Sequence, residues 1–127
     1  MIESRGVREG MALSSEYLDY VLDRLACVGQ VSARRMFGGA GIYRDGLFFA
    51  LIAHDMLYFK VDDSNRPDYE AAGGRPFRPF EEKVYTMSYY DVPEEVMEDT
   101  DVLRIWAEKA LEVAERARLA GKKKKRR

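Results

Sequence analysis

Cysteine and histidine each occur once, as Cys27 and His54. A lone thiol excludes a disulfide framework and a paired redox dithiol, and one His with one Cys cannot build a zinc site. A nucleophile–base dyad would have to join those two residues, and nothing in their spacing favours it. Long apolar runs are missing too. The longest, Leu47 to Ala53, is far too short to cross a bilayer, and the N-terminus carries no secretory pattern. The expectation is therefore a cytoplasmic protein with no membrane contact. Internal repeats and domain boundaries are absent as well, and 127 residues suffice for one domain with a real core.

What is present is charge, unevenly placed. The formal net charge is −1, but Lys122, Lys123, Lys124, Lys125, Arg126 and Arg127 hold six of the 21 basic residues. The remaining 15 face 22 acids, so residues 1–121 carry about −7. An acidic body repels polyanions in general. Nucleic-acid affinity would have to come from a local patch or from the tail, whose lysines attract phosphate weakly and without sequence preference. The plainer reading of the tail is a solvated, disordered segment, with positive charge suited to a helix C-terminus.

Hydrophobic spacing supplies the elements. Residues 1–12 read as a flexible leader, with Met11 an alternative start. Ser14 or Ser15 caps a helix carrying Leu18, Val21, Leu22 and Leu25, which Gly29 stops. Met36 to Tyr43 reads as one strand and Leu47 to Ala53 as the next, joined by the hairpin signal Asp45-Gly46. His54-Asp55 turns the chain into a third strand, Met56 to Val61. Asn65 before Pro67 reads as the cap of a short helix closed by Gly73-Gly74. Phe77, between Pro76 and Pro79, is an edge strand at best. Val84 to Tyr90 is a better strand, with Tyr85, Met87 and Tyr89 on one face. Pro93 opens a helical turn, and Asp99-Thr100-Asp101 caps a long helix running to about Ala120, where Gly121 ends it. The order is α-β-β-β-α-β-β-α, an α+β domain (13–120) with one mainly antiparallel sheet packed by its N- and C-terminal helices.

Few of these residues suggest chemistry. Gly38, Gly39 and Gly41 are followed by a hairpin and not by a helix N-terminus, so the run is no phosphate loop; it reads as a strand that something approaches closely. Arg34 and Arg35 precede a strand, where successive side chains point to opposite faces, and are a weak anion signal. Asp62-Asp63-Ser64-Asn65 lacks the Gly and Glu of a calcium loop. The carboxylates Glu94, Glu95, Glu98, Asp99 and Asp101 sit at helix starts, where the macrodipole accounts for them. No cofactor, metal, catalytic residue or small-molecule substrate is expected. Aromatic residues at Tyr58, Phe59, Tyr85, Tyr89 and Tyr90 form core or, where bare, a protein interface.

The ordered set Arg34-Arg35-Met36-Phe37-Gly38-Gly39-Ala40-Gly41-Ile42-Tyr43, Asp45-Gly46, Leu57-Tyr58-Phe59-Lys60-Val61-Asp62, Met87-Ser88-Tyr89-Tyr90, Pro93-Glu94-Glu95 and Trp106-Ala107 resembles the N-terminal domain of the TfoX/Sxy family, bacterial regulators of competence. The likeness covers Leu13 to Ala117. It implies a secretion-chaperone-like α+β fold, no catalytic residues, and a role in regulation or protein association. It marks Arg35, Met36, Phe37, Gly38, Gly39, Gly41, Tyr43 and Gly46 as signature residues of structural character. Full-length members add a helical second domain without counterpart here, so the resemblance is to a stand-alone module with a lysine-rich tail. The expected partner is a protein or a second copy, met through a strand edge or helix face, with Arg34, Tyr85, Met87 and Tyr89 as candidate contacts.

Overall fold

The computed structural model describes residues 13–36, 38–77 and 88–126. The leader 1–12, Phe37, and Tyr85 and Met87 on the expected strand lie outside the described residues.

Helix α1 spans Ser15–Leu25 because Leu18, Val21, Leu22 and Leu25 recur along one face. Ser14 is its N-cap, the hydroxyl oxygen accepting from the Tyr17 amide at 3.1 Å, a contact worth about 1 kcal/mol. A 3₁₀ turn, Ala26–Val28, follows, and Gly29 at φ 108° ends it.

The chain then makes four consecutive strands: β1 (Val31–Met36), β2 (Gly39–Arg44), β3 (Leu47–Ala53) and β4 (Met56–Lys60), each antiparallel to the next. The single strand expected over Met36 to Tyr43 is instead a hairpin. Gly38, at φ 78°, turns the chain, and Arg34-Arg35 belong to a strand of their own. The sheet thus opens one strand earlier than the sequence reading has it. Tyr43 pairs with Phe48 whereas Ile42 pairs with Ala50, so Phe49 is an extra residue on β3. This bulge turns both Phe49 and Ala50 into the core.

After β4, a tight loop leads to α2 (Arg66–Ala71), with proline in its first turn. Asn65 precedes it but does not cap it with its side chain. Fully buried, its Oδ1 accepts from the Asp62 amide at 2.9 Å and its Nδ2 donates to the Lys60 carbonyl at 3.2 Å. It holds the loop to the end of β4, because a buried amide must satisfy both ends. Strand β5 (Tyr89–Asp91) completes the order β1-β2-β3-β4-β5. Pro76 forms an isolated bridge to Tyr90 along its outer side.

Pro93 caps the single turn α3 (Glu94–Met97). The Asp99 carboxylate then accepts from the amides of Asp101 and Val102 and opens α4 (Thr100–Arg126). Gly121 does not stop this helix, which the sequence reading ends at about Ala120. Glycine weakens a helix by only about 1 kcal/mol and ends it only when the backbone turns left-handed. Here the helical backbone runs on to Arg126.

Helices α1 and α4 cover one face of the sheet. Val21, Leu25, Leu103, Ala107, Ala110, Leu111 and Ala114 meet Ala40, Ile42, Phe49, Ile52, Leu57 and Phe59 in one core. Tyr69 of α2 enters its side, edge-on to Trp106 at 4.6 Å. The result is an α+β domain with an antiparallel sheet flanked by helices.

Candidate functional site

The glycine run lies in the β1–β2 hairpin, and each of its glycines answers a different constraint. A Cβ on Gly39 would stand 2.1 Å from the Ile52 carbonyl oxygen, too close for any side chain. A Cβ on Gly41 would meet the tips of Met36 at 2.8 Å and Phe48 at 2.9 Å, which lie across it on the face away from the helices. Tyr43 stacks on Phe48 at 5.1 Å, and Phe48 tilts towards Tyr89 at 5.9 Å. Gly46 and Asp45, both at positive φ, make the turn into β3. No phosphate cradle results, because β2 follows where a helix would have to start.

Arg34 and Arg35 are both exposed and lie on opposite faces of β1. The Arg34 guanidinium sits 5.7 Å from the centre of the Tyr43 ring, on the open face. Arg35, beside Ala40 in the register, projects on the helix side. Among the described residues no carboxylate stands within ion-pair distance of either.

Tyr89 is 4% exposed, so its ring is not a bare contact surface. Lys60 Nζ lies 4.8 Å over that ring. Burial pushes the Tyr89 hydroxyl to a pKa of about 12, Tyr43 adding to the effect. Burial likewise lowers Lys60, against the attraction of Asp62. Nearer the sheet's far edge Tyr58 tilts against Phe77 at 5.0 Å.

A shallow cleft of about 290 Å³ lies where β4 ends against α4, lined by Lys60, Val61, Asp62, Ser88, Val113, Arg116 and Ala117. Arg116 spans it, donating to Asp62 at 3.1 Å and to Ser64 at 2.9 Å. Burial works to raise the Asp62 pKa, but hydrogen bonds from the Ser64 hydroxyl and amide and from Arg116 outweigh it and hold the carboxyl below its ordinary value. The sequence reading missed this network. Its only signal is the Asp62-to-Asn65 run, which looks like a loop until a helix from the other end of the chain delivers Arg116.

Neither His54 nor Cys27 lines the cleft. His54 sits in the β3–β4 turn at φ 53°, and Cys27 in the 3₁₀ turn after α1. Burial raises the Cys27 pKa, opposed by its backbone hydrogen bond and by Arg104 and Arg24, so the thiol is not poised as a thiolate. Among the described residues no three His, Cys, Asp or Glu side chains gather as metal ligands, and no helix is long and apolar enough to cross a membrane.

These features define a class: a small α+β domain whose helix-backed meander carries glycine-dependent packing and, among its described residues, no assembled catalytic centre. The model of the TfoX N-terminal domain matches residues 23–114, and the chain belongs to that family. The match ends at Ala114, which is the last buried residue of α4 among those whose burial is described. No curated protein matches the chain.

Proposed function

We propose that this domain is a non-enzymatic regulatory module of the cytoplasm that acts by binding another protein, in the manner of the family's competence regulators and with a secretion-chaperone-like fold. The observation that carries the reading is the unequal treatment of the two sheet edges. At the β5 edge the Phe77 amide donates to the Tyr89 carbonyl at 2.8 Å and the Asp91 amide to the Arg75 carbonyl at 3.0 Å. At the β1 edge no described residue pairs with the outer side. An open strand edge is a ready template for a further strand, and soluble proteins leave one only where it is blunted or used. A photo-crosslinking side chain at Ser32, on β1, with one at Asp19 on α1 as control, tests the reading. Discrete adducts from Ser32 alone, or a dimer by light scattering, support it. A strict monomer with no adduct from either position refutes it.

A second reading has its own observation: α4 keeps the basic segment helical as far as Arg126. A nucleated helix extends cheaply, so this end can carry its positive charge as a rod. This reading predicts weak, sequence-indifferent DNA binding that vanishes at high salt and on truncation after Gly121. Binding that survives the truncation would instead implicate Arg34 and Arg35.

A further inference from the structure

We propose that β1 takes up an extended segment of a partner protein as an additional strand, and that the segment carries adjacent acidic residues. The proposal rests on the interaction reading above and specifies its partner.

The inner side of β1 is fully used, in register with β2 from Val31 opposite Arg44 to Met36 opposite Gly39. Its outer side runs six residues, about 20 Å of backbone. That is an ordinary full strand length, whereas β5, with three residues, is short and flanked by 75–77. The edge is also ordered for the purpose: Val31 and Ala33 pack against the core and fix the strand's rotation.

Charge selects the occupant. A second copy pairing antiparallel about a two-fold axis centred on Arg34 or Arg35 would set that arginine directly opposite its own copy, and an axis centred on Ala33 would leave the two Arg34 side chains as diagonal neighbours on one face. Like charges opposite one another destabilise a strand pair. The acidic remainder of the body offers that pair no counter-charge here, since no described carboxylate reaches it. A foreign strand with two consecutive carboxylates meets both cations at once. Arg34 projects on the open face and Arg35 on the helix face, and consecutive residues of the incoming strand alternate in the same way. Backbone hydrogen bonds then supply affinity and the carboxylate pair supplies register.

The test titrates the isotope-labelled full chain, by NMR, with a short Thr/Val peptide carrying a central Glu-Glu pair. Amide shifts should concentrate on Val31–Met36, and hydrogen exchange should slow at alternate β1 amides. Replacing the peptide's pair by Lys-Lys, or making Arg34→Glu with Arg35→Glu, should each weaken binding at least about tenfold. Combining both changes should restore it, which separates charge recognition from any damage to the fold. Absent binding, shifts elsewhere, or affinity indifferent to these exchanges overturns the proposal. So does a DNA duplex that perturbs the same amides more strongly than the peptide. If the peptide fails while Ser32 still yields crosslinked adducts, the acidic-strand proposal falls and the interaction module stands.

Discussion

Gly39 and Gly41 sit two residues apart on β2 and are constrained by different atoms, so substitution separates them. A methyl at Gly39 collides with backbone, the Ile52 carbonyl, which β3 cannot move without losing its register. A methyl at Gly41 collides with the far ends of Met36 and Phe48, which have rotamers to give. Gly41→Ala should cost about 1–3 kcal/mol by urea denaturation, as overpacking does, and Met36→Ala in the same chain should recover part of it. Gly39→Ala should cost clearly more, with no rescue by Met36→Ala. Asn65 makes a third case. Removing its amide by Asn65→Ala strands the Asp62 amide and the Lys60 carbonyl inside the protein, and a loss of roughly 2–4 kcal/mol should appear in the same measurement. An equal cost for the two glycine substitutions, or a neutral Asn65→Ala, would show these contacts to be slack.

Among the elements, α4 illustrates packing by small residues. Ala107, Ala110 and Ala114 are buried where the helix crosses the sheet, and Ala117, one step further along the same expected stripe, is exposed. Ala110→Leu should therefore destabilise by about 1–3 kcal/mol, whereas Ala117→Leu should change the thermal midpoint little. Thermal denaturation of the two variants decides it. Periodicity made this helix, α1 and the β3–β4 hairpin legible in the sequence, because apolar spacing and turn chemistry agree there. The β1–β2 hairpin was not legible for a physical reason. β1 has only Val31, Ala33 and Met36 to bury, and its two arginines hide the alternation. Gly41 reads as a turn residue, yet it sits in a strand because Met36 and Phe48 fill the space a side chain would take.

At the scale of the whole molecule, Asp62 and Arg116 tie the loop after β4 to a helix half the chain away. The Asp62 carboxyl titrates below its ordinary value when folded, so its contribution is present above about pH 4 and is lost as the pH falls through the folded value. Asp62→Asn should lower stability at neutral pH slightly, the pair being partly exposed, and should flatten the acid limb of a stability–pH curve. An unchanged acid limb would assign the acid sensitivity to other carboxylates. The uneven charge matters at this scale too: the acid-rich body sets its cations apart, with Lys122 to Arg127 at the end of the chain and Arg34-Arg35 on β1.

The amino-acid pattern by itself determined the class of the domain, its family, a cap at Ser14 or Ser15 and one within Asp99-Thr100-Asp101, and the hairpin turns at Asp45-Gly46 and His54-Asp55, since these depend on neighbours a few residues apart. Tertiary structure decided what depends on distant contacts. It made Gly38 a turn and Gly41 a strand residue, and it turned Asn65 inward from the helix it precedes. It buried Tyr89, extended α4 past Gly121, and paired the outer side of β5 while, among the described residues, nothing pairs with the outer side of β1. The physical reason is that contacts formed only in the folded chain decide them: Met36 and Phe48 fill the space beside Gly41, the Asp62 amide and the Lys60 carbonyl claim the Asn65 side chain, and Arg75 and Phe77 take the hydrogen bonds at the β5 edge.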